Sequence, residues 1–445
     1  MTHSMSGAGG TPVAGGGEGQ QVAGRSRYRW YVLALLTAAQ VCSYMDRTII
    51  GIVIEPVRAE FGLSDGQMGF LSGLAFGLAF AVAAIPMGWL VDRCNRRKLL
   101  ALIVALWSGL TMFCGLAQSY LMLLLSRMSV GAAEAGGSPT GVSILSDYFG
   151  PRERASAVAI WYSSSTLAVI LTFLFGGFVA QQFGWRATFL FAGAPGLVVA
   201  LLIFLTLREP VRGVLDHSGG KAQRQPLGLR QGAAYVLRRR GLMHCMAGII
   251  LSAATVSAMS IWMVTFLTRF HGLDLARAGM VAGIGLGIFG SLGGIACGFI
   301  ADRLNKGSAA LAPGRSALLC ATTALLAIVF GMVAVLAQST LVAVGFMFVY
   351  ALFKTAHNGP ANALMLGLVG SHVRGFSVST LQIGTNLVSW GMGPLVVGLL
   401  SDYIGGPQSL RWALAITLLI NAWAVAHYLL AARHVAADME RTHED

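Results

Sequence analysis

The sequence predicts an all-α polytopic membrane protein of twelve transmembrane helices in two six-helix bundles, and three observations carry that expectation. Of its 445 residues 56% are hydrophobic and 11% charged, against roughly 25% charged in a soluble domain. Apolar stretches near the ~20 residues that a bilayer requires recur twelve times. Finally, GWLVDRCNRRK (Gly88 to Lys98) returns as GFIADRLNK (Gly298 to Lys306), offset by 210 residues, which marks a duplicated half.

Taken in order, residues 1–29 are rich in Gly, Ser and Gln, close on Arg25, Arg27 and Arg29, and read as a disordered cytoplasmic tail. No cleavable signal peptide is expected. The apolar spans follow at about 31–54, 67–90, 98–118, 120–148, 155–181 and 186–207, then 242–269, 279–300, 315–337, 340–369, 375–401 and 409–431. They define an N-terminal bundle (30–207), a cytoplasmic linker (208–241), a C-terminal bundle (242–431) and a cytoplasmic tail (432–445). The linker holds eight of the 31 Lys and Arg, and its later part, Gly228 to Arg240, suits an interfacial basic helix. With both termini cytoplasmic, 23 of the 31 cations fall on the inner side, five at the outer side (Arg58, Arg186, Arg269, Arg277, Arg411) and three deep within spans (Arg47, Arg127, Lys354). The positive-inside rule therefore sets the orientation in the cell (inner) membrane.

The net charge of +13 does not indicate nucleic acid, because the cations lie between apolar runs instead of along one face. Cys42, Cys94, Cys114, Cys245, Cys297 and Cys320 lack C-x-x-C or His spacing and read as small core residues. No metal and no cofactor are expected, and a monomer among membrane lipids is the simplest assembly. The Gly-rich eighth span (Gly283, Gly285, Gly287, Gly290, Gly293, Gly294) is no phosphate loop, since it lies inside an apolar run; close helix packing explains it.

Charges inside spans carry the functional reading, because an ionisable residue at bilayer depth must face a cavity or a partner. Asp46 and Arg47 lie in the first span. In the fourth, Arg127, Gly131, Glu134 and Ser138 recur at helical spacing on one face. The bland reading is an ion pair joining the two spans. The functional one is a switch, in which two acids and two arginines trade partners and a protonated acid releases an arginine to the substrate. Either acid can carry the proton, with Asp46 favoured and Glu134 positioning the arginines.

The tenth span presents Lys354, His357, Asn358 and Asn362, and the eleventh Gln382, Thr385, Asn386 and Ser389, at compatible spacing. Tyr162 opens a polar run in the fifth. The amides serve equally well as glue between helices, and His357 alone is more often a packing residue. Lys354 would make the site net positive and suited to an anionic or zwitterionic headgroup. Asp92, ending the second span, can meet the N-terminal end of the eleventh near Arg374, so Gly88, Asp92, Arg93, Arg96 and Arg97, with Gly298, Asp302 and Arg303 as their repeat, are expected to form a cytoplasmic gate. A duplicated six-span unit is itself the signature of secondary transporters.

That loop motif resembles the one between spans two and three of the major facilitator superfamily. SYMDR (Ser43 to Arg47), DRCNRRK, LWSGLT (Leu106 to Thr111), RMSVGAAEA (Arg127 to Ala135) and REPVRG (Arg208 to Gly213) together resemble the Spinster family of lysolipid and sphingoid-phosphate transporters, here as a prokaryotic homologue. The resemblance implies the fold, the cytoplasmic gate, a proton-coupled cycle and an amphiphilic lipid substrate. An organic-anion:proton symporter and a drug/proton antiporter are the alternatives, although the fifth span lacks a Gly-Pro pair before Gly176 and Gly177. An intramembrane enzyme would rest on Glu134 and His357 alone and is not expected.

Overall fold

The computed structural model describes residues 17–211, 229–306, 312–370 and 373–444, and no strand occurs among them. Nine helices in these segments are long and apolar enough to cross a membrane. One of the nine is two spans in register, divided at Gly184, whose φ of 83° no helix continues through. The first and fourth spans are interrupted, which completes twelve. They are α1 (Gly17–Thr48 continued by Ile50–Phe61), α2 (Asp65–Arg93), α3 (Arg96–Cys114), α4 (Tyr120–Glu134 and Gly137–Tyr148), α5 (151–183) and α6 (185–206). The second half repeats them as α7 (Arg240–His271), α8 (Leu275–Asn305), α9 (Ala312–Leu336), α10 (Thr340–Lys354 and Asn358–Gly367), α11 (Arg374–Ile404) and α12 (Ser409–Leu418 and Ile420–Glu444).

Two boundaries differ from the sequence expectation. The first helix begins at Gly17, so residues 17–29 are helical where a disordered tail is expected; Gln20, Gln21 and Ala23 are good helix formers that extend the span outward. Residues 1–16 of that tail lie outside the described residues. The linker helix is present, at Leu229–Arg238, while 212–228 lie outside. This helix sits on the C-terminal bundle: Gly232 lies against the Phe376 ring, Gly370 N donates to the Tyr235 hydroxyl (3.2 Å) and Arg239 donates to the Asp438 carbonyl (2.9 Å).

The linker's other end is fastened to the N-terminal bundle through Arg96, which is buried. Its guanidinium donates to Asp147 and to Ser143 Oγ (2.9 Å) at the end of α4, and to Glu209 Oε1 (3.0 Å) and the Pro210 carbonyl (2.9 Å) beyond α6. Each bundle thus holds its own end of the connection.

Bundle meets bundle along a seam that runs from the molecular centre to the side away from the linker. Gly69, Gly73 and Gly77 of α2 lie against the Pro394, Gly391 and Asn386 main chain of α11. Their counterparts 210 residues on, Gly279, Gly283 and Gly287 of α8, lie against Phe173, Leu174 and Ile170 of α5. A Cβ at Gly73 would stand 2.3 Å from the Gly391 carbonyl oxygen, and one at Gly279 2.4 Å from that of Phe173. Backbones this close require Gly, and in lipid such approach is what drives helix association. Toward the linker the helices part: Val82 and Ile85 of α2 are 74% and 81% exposed, and Val378, Ser379 and Gln382 of α11 are exposed as well.

Candidate functional site

The central pocket is built where α1 and α4 are both interrupted. Helix α1 breaks at Ile49, three residues after Asp46, and α4 breaks at Ala135 and Gly136, directly after Glu134. Gly131 lets α4 approach α2 so closely that a Cβ there would stand 2.6 Å from the Phe76 carbonyl oxygen. At both places the dihedrals stay in the right-handed helical region, so each span bends without unwinding.

Glu134 is buried, and its Oε2 accepts from Arg47 Nε (2.7 Å) and from Ser43 Oγ (2.9 Å). Arg47 also lies over the rings of Phe80, Phe76 and Tyr44, at 5.1, 5.3 and 5.8 Å from their centroids, a cage that favours a weakly hydrated cation. Arg127, 1% exposed, donates to the main-chain carbonyl of Asp46 (2.9 Å) and lies over Phe76 at 5.4 Å. The Asp46 carboxyl is fully buried beside the Thr111 hydroxyl, and neither arginine forms an ion pair with it. Of the four charged residues expected here, the structure therefore pairs Arg47 with Glu134 and aims Arg127 at backbone.

Arg47, Ser72, Phe76, Gly77, Phe80 and Arg127 from the N-terminal bundle and Asn386 and Trp390 from α11 line the pocket. Tyr162 is half exposed, its ring edge-on to that of Trp161 at 4.9 Å. Gln382 and Asn358 are exposed, and the Gln382 carbonyl accepts from Asn386 Nδ2 (3.0 Å).

Lys354 and His357 are placed differently from their sequence spacing. Helix α10 is interrupted at 355–357, so the two no longer share a face. Lys354 is 4% exposed at the end of the first segment, its Cε 3.5 Å from where a Cβ on Gly290 of α8 would stand. His357 turns into the core of the C-terminal bundle, 1% exposed, its ring 6.0 Å from that of Tyr428. The packing reading of His357 fits this position, and substrate contact does not.

The gate motif is also differently engaged. Arg96 and Arg97 bind within the N-terminal bundle, Arg97 N donating to Glu209 Oε2 (2.8 Å), and Arg93 lies over Trp89 at 4.3 Å. Gly88 and Gly298 face open space, and Asp302 and Arg303 are exposed. Asp92 ends its helix on the side where the bundles part.

The opposite side holds contacts that sequence reading missed. Arg269 at the end of α7 donates to both oxygens of Asp65 (2.7 and 2.8 Å) and to Glu55 Oε2 (2.7 Å). Asp402 at the end of α11 accepts from the N–H groups of Asp65 (3.0 Å) and Gly66 (2.8 Å). A legible signal existed: GLSDGQMGFLSGLAFG from Gly62 and GLDLARAGMVAGIGLG from Gly272 extend the 210-residue repeat through whole helices.

The Major Facilitator Superfamily family model matches residues 36–389. The chain belongs to the major facilitator superfamily. A bacterial homolog to the human lysosomal transporter Spinster, solved in an inward-facing and unoccupied conformation, aligns with a TM-score of 0.80 at 28% identity, covering 92% of this chain and 98% of that one. An MFS-type efflux pump of Mycolicibacterium smegmatis is 28% identical over 92% of this chain and 94% of its own length. A probable L-galactonate transporter of Escherichia coli is 26% identical over 96% and 94%. The mouse sphingosine-1-phosphate transporter is 29% identical over 53% of this chain and 43% of its own length. The protein is a multi-pass membrane transporter that resembles the Spinster members of the superfamily, and it is not an enzyme.

Proposed function

We propose that this chain is a proton-coupled transporter of an amphiphilic anionic or zwitterionic lipid, lysophospholipid-like or sphingoid-like, working by alternating access. The observation that carries this reading is the pocket wall. Two arginines stand beside Phe76, Phe80, Tyr44 and Trp390, so an anionic group finds a cation while the apolar part of the same molecule finds aromatic rings. A small polyhydroxy acid would leave those rings uncovered. Likeness to a Spinster homologue over the full span supports the same assignment.

Proton coupling rests on Asp46 and Glu134. The Arg47–Glu134 pair is the resting contact, and Asp46 is the acid without one, so Asp46 exchanges the proton while Glu134 holds Arg47. With both acids ionised, two carboxylates balance the two arginines; a proton on Asp46 leaves one positive charge uncompensated, and the substrate's anionic group supplies the balance. Lys-rich and Arg-rich loops on the linker side support cytoplasmic termini; on that reading the open side is cytoplasmic, and Asp92 with its arginines closes it in the other half of the cycle. A monomer in the cell membrane suffices for this cycle.

Symport of a sugar acid with protons is the second reading, supported by the galactonate transporter that matches along nearly the whole chain. Proteoliposomes with an imposed pH gradient, offered labelled lysophospholipids and labelled aldonic acids in turn, separate the two. Gradient-driven movement of a lysophospholipid is expected; movement of the aldonic acid alone overturns the lipid assignment.

A further inference from the structure

The pseudo-symmetric halves of the closed seam are not electrically alike. At the start of α2 the N-cap is Ser64, whose hydroxyl accepts from Gln67 N (3.2 Å). The two preceding N–H groups, of Asp65 and Gly66, go to the carboxylate of Asp402 from the other bundle. At the start of α8, 210 residues on, the N-cap is Asp274, which accepts from Arg277 N (2.8 Å). Its first N–H, of Leu275, goes to the neutral amide of Gln181 of α5 (3.1 Å).

The geometry of the two contacts is otherwise matched. Gly398 stands four residues before Asp402 and Gly177 four before Gln181; a Cβ on them would meet the Asp65 and Leu275 carbonyl oxygens at 2.2 and 2.6 Å. Each helix start has a carboxylate of its own against its positive end, Asp274 at α8 and Asp65 at α2, and these stay when the bundles separate. Only α2 receives a second one from the other bundle, that of Asp402, and separation removes it. Arg269 adds ion pairs from α7 to Asp65 and Glu55, and Ser401 donates to Asp65 Oδ2 (2.6 Å). Across α5 and α8 the further polar contact among the described residues is Ser291 to Thr166 (3.2 Å).

We propose that the seam is clasped unevenly: the α2–α11 contact, held by Asp402 and Arg269, opens last, and the α5–α8 contact, held by Gln181 and close glycines, opens first. The side of the pocket facing α5 and α8 is then where substrate first gains access to the surface away from the linker. This inference rests on the alternating-access reading.

Single cysteines report each contact: Leu395→Cys, whose position packs on Gly69, and Ala276→Cys, whose position packs on Gly177. Cys94, the native cysteine that is not buried, is changed to Ser throughout. Maleimide labelling of the full chain in proteoliposomes under turnover is then timed at each position. Ala276→Cys is expected to react faster than Leu395→Cys. Asp402→Asn should raise the Leu395→Cys rate roughly fivefold, the size of effect that losing a helix-start acceptor produces, and leave the Ala276→Cys rate unchanged. Moving the charge across the other contact, with Gln181→Glu and Asp274→Asn together, should slow Ala276→Cys by a similar factor. Adding Ser64→Asp to Asp402→Asn compensates α2 locally, so it should restore thermal stability while Leu395→Cys stays fast; a merely structural Asp402 would let both recover. Equal response of both positions to Asp402→Asn overturns the uneven clasp alone. No labelling at either position under turnover overturns alternating access with it.

Discussion

Asp46 and Glu134 share one pocket with unequal company, and their chemistry follows from that inequality. Glu134 is bonded by Arg47 and Ser43, so Glu134→Gln strands a buried guanidinium; breaking such a pair costs about 3 kcal/mol. Glu134→Gln is therefore expected to lower the thermal midpoint and to weaken substrate binding. Asp46→Asn removes a charge that no arginine pairs with, Arg127 being bonded to the Asp46 main chain. It should abolish pH-driven uptake in proteoliposomes yet leave substrate exchange at equal pH measurable; uptake that still follows the gradient would reverse the two roles. The sequence announces all four charged residues, because charges in apolar spans cannot be idle. Which arginine each acid meets is not legible, since a flexible side chain chooses among partners 81 to 91 residues away. The separation of Lys354 from His357 is not legible for a plainer reason: a shared face requires a continuous helix, and α10 is interrupted between them.

At the scale of elements, the glycines of α8 divide into two kinds. Gly293 is pressed so tightly on α10 that a Cβ would stand 1.8 Å from the Leu352 carbonyl oxygen, whereas Gly294 has nothing within 4 Å. Gly293→Ala should destabilise the C-terminal bundle by about 1–3 kcal/mol through overpacking. Gly294→Ala should be neutral or stabilising by about 0.5–1 kcal/mol, because Ala restricts the unfolded helix segment. Thermal unfolding of the purified variants ranks them, and equal midpoints would refute the distinction. From sequence the six glycines look alike; their spacing shows that some helix approaches closely, and neighbours supplied by other helices decide at which glycine. The twelve spans were legible because each answers to the bilayer alone.

For the whole molecule, the seam closes on one side and the linker side stands open, a state no residue pattern specifies. On the alternating-access reading proposed above, the bundles move as units and the balance lies in a few contacts at the two ends of the seam. Asp92→Asn, by weakening the linker-side gate, should enrich the arrangement seen here. Pulsed electron resonance distances between labels at the linker ends of α3 and α9 measure that balance, and an unchanged distribution would remove Asp92 from the gate.

Arg96 ties α3, the end of α4 and the chain beyond α6 into one junction. In mechanical terms it is the bolt that makes the N-terminal bundle a stiff lever. A loose bolt lets a lever bend where it should turn, so motion at one end arrives late and reduced at the other. Arg96→Lys keeps the charge and loses the planar fork that spans three segments. Its effect should be on turnover rate, with the populations of the two end arrangements little changed, since compliance alters how force is passed on and leaves the resting positions where they were.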